Sequence, residues 1–282
     1  MIIDFHTHTF PDAIAPKALA KLQGASHTRA FSDATVAALQ ADMAQRGIDF
    51  SVVLPVATNP TKVPHMNDSS AAMNGKGPLI HFGAMHPDFE DWYAELGRIK
   101  ALGLKGIKIH PVYQGVDIDD ERYLRIFRRC AELDLIVVAH SGDDIGFPGV
   151  VRCDPKRSRN ALEQAEGVKL VLAHMGGWKN WEEVAENLAD TDCYLDTAFS
   201  LGEIDALEAQ FYTPEERRLM SEKEFTALVK AFGADRVLFG TDSPWTHSQT
   251  EIQRILRLRE LDEEEIMAIL GENACRLLGL GF

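Results

Sequence analysis

Eight short apolar segments, each followed by a longer amphipathic stretch, constrain the fold of this chain most. The segments are residues 2–6, 50–55, 79–84, 106–110, 135–140, 169–174, 193–196 and 237–240. Residues 135–139 and 170–173 are unbroken apolar runs, which are typical of parallel strands buried on both faces. Helical patterns occupy residues 35–46, 92–102, 121–133, 158–165, 181–189, 222–232 and 251–258. Strands that alternate with helices in this way predict a (β/α)8 TIM barrel, with a doubly wound open sheet as the alternative.

The size of the chain agrees with one barrel. It has 282 residues, of which 45% are hydrophobic, close to the usual length of a single (β/α)8 domain. We find no internal repeat, low-complexity segment or linker. The sequence therefore predicts one domain over residues 1–282, in which residues 262–278 add extra C-terminal helices.

The composition of the chain limits which molecules it is expected to bind and where in the cell it is expected to act. The chain has no apolar run long enough for a transmembrane helix, and its N-terminus lacks the features of a signal peptide. Its four cysteines are far apart and form no CxxC pair, which indicates reduced thiols. The net charge of −14 argues against nucleic acid or an anionic membrane as a partner. We expect a cytoplasmic enzyme with a small-molecule substrate. We also expect a homodimer, because this is the commonest oligomeric state of soluble proteins that form oligomers.

Residues that bind metals or carry protons stand where the predicted strands end. In a TIM barrel, the C-terminal ends of all strands open onto the face that holds the active site. His6 and His8 share one face of the first strand, because successive side chains of a strand alternate. Comparable residues at the fourth, fifth, sixth and eighth strand ends are Lys108, His110, His140, His174 and Asp242. This shared placement predicts a divalent metal site.

The same positions carry a family resemblance. His6-Thr7-His8, Ala139-His140, residues 173–177 (AHMGG) and residues 240–245 (GTDSPW) resemble the amidohydrolase superfamily. Within it they are similar to the amidohydrolase-2 branch, the metal-dependent enzymes that resemble aminocarboxymuconate semialdehyde decarboxylase. The closing residues 272–280 also resemble the end of those proteins, so the resemblance spans residues 2–280.

This resemblance implies one metal ion with His6, His8, His140 and Asp242 as ligands. Three imidazoles and a carboxylate suit Zn²⁺, with Mn²⁺, Fe²⁺ or Ni²⁺ as alternatives. The resemblance also implies that His174 is a catalytic histidine that shuttles a proton. Asp242 is the second predicted catalytic residue, because it could accept a proton from a metal-activated water.

Four further residues are predicted to bind the substrate: Lys108, His110, Arg152 and Trp245. Lys108 and His110 have the same strand parity, so both can face the interior of a barrel. Two alternatives stay open for Lys108. It could be carbamylated and bridge two metals, with His174 on the second metal, or it could form an ion pair with a buried carboxylate such as Asp4 or Asp196.

Two reactions fit this set of residues. The first is hydrolysis of a small amide, ester or lactone by a metal-activated water, and the second is non-oxidative decarboxylation of an unsaturated or aromatic acid. We favour hydrolysis at this point, because the decarboxylase resemblance does not explain Lys108 and His110. A barrel that binds metal without catalysis is the third alternative. The sequence does not identify the substrate.

Overall fold

A computed structural model describes residues 1–281 and contains nine strands, and each of the eight predicted strands is present. Their bounds are β1 Ile3–Thr7, β2 Phe50–Val53, β3 Leu79–His81, β4 Gly83–Ala84, β5 Gly106–Ile109, β6 Ile136–Ala139, β7 Lys169–Leu172, β8 Tyr194–Asp196 and β9 Val237–Leu238. The third predicted strand is divided in two at Phe82. The predicted histidines His110, His140 and His174 lie one or two residues beyond the ends of their strands.

Thirteen α-helices lie among the described residues. They are α1 Ala15–Ser26, α2 Val36–Arg46, α3 Val63–Met73, α4 Trp92–Ala101, α5 Pro111–Gln114, α6 Glu121–Glu132, α7 Pro155–Gln164, α8 Val184–Leu188, α9 Pro214–Arg217, α10 Glu222–Phe232, α11 Ser248–Leu256, α12 Glu263–Met267 and α13 Asn273–Leu278. A π-helical turn, Ala268–Glu272, joins the last two, so the predicted C-terminal helices are present.

The chain forms two compact units by contacts between its residues. Unit 2 consists of residues 52–144 and 149–196. In it, β4 to β8 lie side by side in chain order, and each pair is parallel. The residues of β5 and β6 are all buried. Buried parallel strands explain why these segments appear in the sequence as apolar runs without alternation.

Unit 1 consists of residues 1–51, 145–148 and 197 to the end of the described chain. All five residues of β1 are buried. Ile2 O, just before β1, accepts hydrogen bonds from Asp49 N and Phe50 N, and Phe5 N donates to Phe239 O just after β9. Backbone pairing on both sides therefore fixes the first strand and the histidines at its end.

Three features bear on the other predictions. The prediction of a single domain over residues 1–282 stays a prediction. Among residues 1–281, no helix combines the length and apolar character needed to cross a membrane. The four cysteines are buried and free.

Candidate metal centre

The structure brings three of the four predicted metal ligands together in unit 1. His6 lies within β1, where it is 1% exposed, and His8 follows the strand with part of its side chain accessible. Asp242 Oδ1 lies 3.6 Å from His6 Nε2 and 3.1 Å from His8 Nε2. The two imidazole rings are 5.1 Å apart between centroids. His6, His8 and Asp242 are called the donor trio below.

Asp242 is held beside the histidines by the backbone. Its N–H donates to His6 O at 2.8 Å, and His8 N donates to Ser243 O at 2.8 Å. Asp242 has a φ of 59°, in the left-handed region that a residue with a side chain occupies only at an energetic cost. The segment after β9 is therefore bound to the end of β1 in a conformation that directs the carboxylate at both histidines.

The side chain of Asp4 also connects β1 to the segment after β9. Its Oδ1 accepts hydrogen bonds from His6 N at 3.2 Å and Thr241 N at 2.9 Å, and its Oδ2 accepts one from Thr241 Oγ1 at 2.6 Å. Asp4 is 1% exposed, so its charge needs these donors. The sequence analysis names Asp4 only as a possible ion-pair partner of Lys108. No local pattern in the sequence shows that Asp4 lies beside Thr241.

Gly240 permits this close approach. A Cβ atom at this position would lie 2.9 Å from His6 Cβ and 3.4 Å from Ala198 Cβ. Thr197 Oγ1 bonds both to Gly240 N and to Gly240 O, at 3.0 and 3.1 Å. Only glycine leaves room for the imidazole of His6 next to this backbone.

The donor trio fits a divalent cation. Two ligand atoms at ~2.1 Å from one metal in tetrahedral geometry are ~3.4 Å apart. The measured separations of 3.1 and 3.6 Å are close to that value. The ligand atoms of all three residues lie within 4.8 Å of one another. Two imidazoles and one carboxylate are donors for Zn²⁺, Mn²⁺ and related ions.

The other predicted histidines meet in unit 2. His174 Nε2 lies 3.0 Å from His140 Nδ1. The rings of His110 and His140 are stacked, with centroids 4.1 Å apart and planes inclined by 10°. Tyr113 stacks on the outer face of His110 at 3.7 Å. The ends of β5, β6 and β7 therefore form a continuous cluster of imidazoles, as the strand-end pattern indicates.

The hydrogen-bond partners define the proton positions of this cluster. His140 Nε2 lies 3.0 Å from Asp143 O, which can only accept, so this nitrogen carries a proton. Burial, together with the nearby His110 and His174, lowers the pKa of His140 well below its usual value, so the ring is neutral. His140 Nδ1 is then an acceptor, and His174 Nε2 donates to it.

A buried carboxylate that the sequence does not single out completes the cluster. Asp144 Oδ2 lies 3.4 Å from His110 Nε2 and 3.6 Å from His140 Nε2. Charged residues in a loop are usually solvated, but Asp144 is only 5% exposed. The single signal in the sequence is its position four residues after His140, in the loop that follows β6.

The backbone of His174 is also strained and braced. His174 and Met175 have φ values of 58° and 55°. Asp196 Oδ1 accepts from His174 N at 2.9 Å, and Trp181 Nε1 donates to His174 O at 2.9 Å. These two partners hold the turn after β7 in which His174 stands, and no sequence pattern indicates either contact.

The four predicted substrate-binding residues have different surroundings. Lys108 is 1% exposed and His110 is 6% exposed. Arg152 instead forms an ion pair with Asp117 at 2.9 Å, and its side chain is 35% exposed. Trp245 lies on the turn after Asp242 and donates its backbone N–H to Asp242 O at 2.8 Å. Their roles in substrate binding stay predictions.

Cys153, in the loop after β6, is a buried thiol between two serine hydroxyl groups. It is buried, and burial raises the pKa of its thiol to about 11. Ser141 and Ser158 lie within 3.4 Å of its sulfur. A thiol in these surroundings is unreactive at neutral pH.

Three solved structures are similar to this chain over 99% of its length. The first is 5-carboxyvanillate decarboxylase LigW from Sphingomonas paucimobilis, with 16% identity, a TM-score of 0.70 and 99% of that chain covered. The second is 5-carboxyvanillate decarboxylase from Novosphingobium aromaticivorans, complexed with manganese and 4-hydroxy-3-methoxy-5-nitrobenzoic acid, with 16% identity, a TM-score of 0.68 and 96% of that chain covered. The third is 2,6-dihydroxybenzoate decarboxylase from Rhizobium, with 15% identity, a TM-score of 0.68 and 98% of that chain covered. This likeness confirms the predicted fold class, a (β/α)8 barrel.

Comparison with the curated proteins gives no match. A sequence model of the amidohydrolase family matches residues 3–280, nearly the whole chain. The strand-end residues that carry the family resemblance lie within the matched range. The chain belongs to the amidohydrolase family of enzymes, in its amidohydrolase-2 branch.

Proposed function

We propose that this protein is a metal-dependent, non-oxidative decarboxylase of a small aromatic or unsaturated carboxylic acid. One observation carries the proposal: three of the solved structures that resemble the chain over 99% of its length are decarboxylases of aromatic acids. The chain supplies the donor trio and a proton-bearing histidine cluster, which are the groups that such a reaction needs. Of the two reactions that fit the sequence, the second is therefore the better supported.

Hydrolysis is less well supported than decarboxylation. It is favoured from the sequence only because the decarboxylase resemblance does not explain Lys108 and His110. His110 has a structural explanation: it stacks between Tyr113 and His140, and its Nε2 faces Asp144 at 3.4 Å. Hydrolysis keeps support at the level of the superfamily only.

The donor trio would hold the cation. His140, the fourth ligand predicted from the sequence, has Asp143 O beside its Nε2 and His174 Nε2 beside its Nδ1 in this structure, and its role as a ligand stays a prediction. The bound ion would supply positive charge that orients an anionic substrate and stabilises the charge that develops as the carboxylate leaves. One similar structure contains manganese, and the mixed nitrogen and oxygen donors suit this ion as well as zinc. We propose Mn²⁺ or Zn²⁺.

His174 is the proposed source of the proton that the reaction consumes. Decarboxylation breaks the bond between a carbon and its carboxylate, releases CO2, and puts a proton on that carbon. If His140 Nδ1 is the acceptor, His174 Nε2 is the donor of the 3.0 Å contact between them, and Asp196 and Trp181 brace the strained turn that carries His174. We propose that this nitrogen delivers the proton, which makes His174 the general acid.

The two reaction classes differ in their products. Manganese-loaded protein should release CO2 from 5-carboxyvanillate or 2,6-dihydroxybenzoate, or from a panel of related aromatic acids, and should release no acid from aryl lactones or N-acyl amides. Acid formation from the lactones or amides, with no CO2 from any carboxylate, would establish the hydrolase alternative instead. A cytoplasmic location and a homodimer stay predictions.

A further inference from the structure

A cavity of about 280 Å³ lies in unit 1. The loops that follow β8 and β9 form its walls together with α11. Three aromatic side chains line it, Phe31, Phe199 and Trp245. Within residues 1–281, no member of the donor trio lines it. An apolar cavity of ~150 Å³ can hold a benzene-sized molecule, so this one has room for a single-ring ligand with a short side chain.

The ionisable side chains around this cavity are mainly acidic. Glu203, Asp205 and Glu251 line it, against one guanidinium, that of Arg254. Glu203 and Asp205 are exposed, so they lie toward solvent. Aromatic rings and carboxylates together are the chemistry that recognises an organic cation, because the ring faces and the carboxylates both attract positive charge.

Glu251 is the carboxylate with an unused hydrogen-bonding position. It is 5% exposed, and Arg254 Nη1 donates to its Oε1 at 2.5 Å. Among residues 1–281, Oε2 has no hydrogen-bond partner. Burial raises the pKa of this carboxyl to about 7, although the neighbouring Arg254 lowers it. A buried carboxylate oxygen that faces a cavity is a site for a donor carried by a ligand.

Two neighbouring side chains support a ligand-binding site in this cavity. His247 Nδ1, on a residue that also lines the cavity, is buried without a hydrogen-bond partner among the described residues. Arg254 Nη2 packs directly against Gly202, where an added Cβ would lie only 2.3 Å away, so the guanidinium occupies space that this glycine leaves open. Its Nη1 donates to Oε1 of Glu251, which leaves Oε2 for a donor carried by a ligand.

We propose that this cavity binds a small organic cation, an aromatic primary amine whose ammonium group donates to Glu251 Oε2 while its ring packs among Phe31, Phe199 and Trp245. An aromatic carboxylate is disfavoured there, because three carboxylates line the cavity against one guanidinium, and within the described chain only Glu203 has a further cationic partner, Arg217 at 3.5 Å. The proposal does not depend on the decarboxylase assignment, since the donor trio takes no part in it.

Isothermal titration calorimetry of the protein as purified tests this site. The probe is 2-phenylethylamine, and the comparison ligand is 3-phenylpropionate, which has a similar shape and the opposite charge. At about one pH unit above the pKa of Glu251, the amine should bind at least about tenfold more tightly than the anion. Equal affinities, or no binding of the amine at millimolar concentrations, would overturn the proposal.

Variants locate the binding to the cavity. Glu251→Gln should weaken binding of the amine by at least about tenfold, whereas Glu260→Gln, an exposed residue outside the cavity, should leave it unchanged. Asp205→Asn is an exposed substitution that leaves the Arg254 pair intact, and it should weaken binding by a few-fold. An unchanged affinity in both Glu251→Gln and Asp205→Asn would refute the site. Displacement of the amine by 4-hydroxy-3-methoxy-5-nitrobenzoate would do so too, by placing the amine at the metal centre.

Discussion

Asp242 illustrates how a single residue meets two demands in this protein. Its carboxylate must reach His6 and His8, and its backbone takes a left-handed conformation to do so. Such a conformation costs about 1–3 kcal/mol in a residue other than glycine, and the hydrogen bond to His6 O helps to hold it. Backbone strain of this kind persists only where the surrounding structure holds it, and it is common at functional sites, which agrees with the prediction that Asp242 binds the metal.

Two histidines should respond differently to removal. His8→Ala should lower the bound metal, because it deletes one member of the donor trio. His174→Ala should keep the metal and lose CO2 release, because it deletes the proposed proton donor. Metal per chain, measured by elemental analysis beside activity, distinguishes the two effects.

The control for this pair is His65→Ala, an exposed histidine on α3 that should change neither quantity. Loss of metal from His174→Ala would favour the alternative in which His174 binds a second metal, and the role of proton donor would then be wrong.

At the scale of elements, Gly240 decides whether the segment after β9 can lie against β1. Gly240→Ala places a Cβ 2.9 Å from His6 Cβ, and overpacking of this kind costs about 1–3 kcal/mol. We expect a lower midpoint of urea unfolding and weaker manganese binding, since His6 must shift.

Gly24→Ala is the matched substitution, because Gly24 lies in α1 and has no atom within 4 Å of an added Cβ. It should leave manganese binding unchanged and stabilise the helix slightly. Equal effects of the two substitutions on metal affinity would show that Gly240 has no special role beside His6.

The elements themselves are predictable where local signals exist. The apolar runs locate every predicted strand, and α10 agrees with its predicted bounds because Ser221 and Glu224 form a capping box at its start. The helices α1, α3, α5 and α9 are not predicted, and each has a proline in its first two positions. Proline is compatible with a helix only in the first turn, so in the sequence it looks like an interruption of a helical pattern.

At the scale of the whole molecule, the barrel fold is shared with proteins that are only 15–16% identical. Strand parity predicts that His6 and His8 share a face, because it depends only on neighbours in sequence. The contacts of Asp4 with Thr241 and of Asp144 with His110 instead join residues far apart in the chain. No local pattern encodes such contacts, which is why the roles of these two carboxylates become clear only from the folded chain.

Activity as a function of bound metal tests the central claim most directly. The protein is first stripped with a chelator and then loaded stepwise with Mn²⁺, and CO2 release from the best aromatic acid of the panel is followed at each step. We predict no release from the stripped protein and a linear rise up to one ion per chain in the unmodified protein, with no rise in His8→Ala at the same Mn²⁺ concentrations. Release of CO2 by the stripped protein, or an undiminished rise in His8→Ala, would contradict the account.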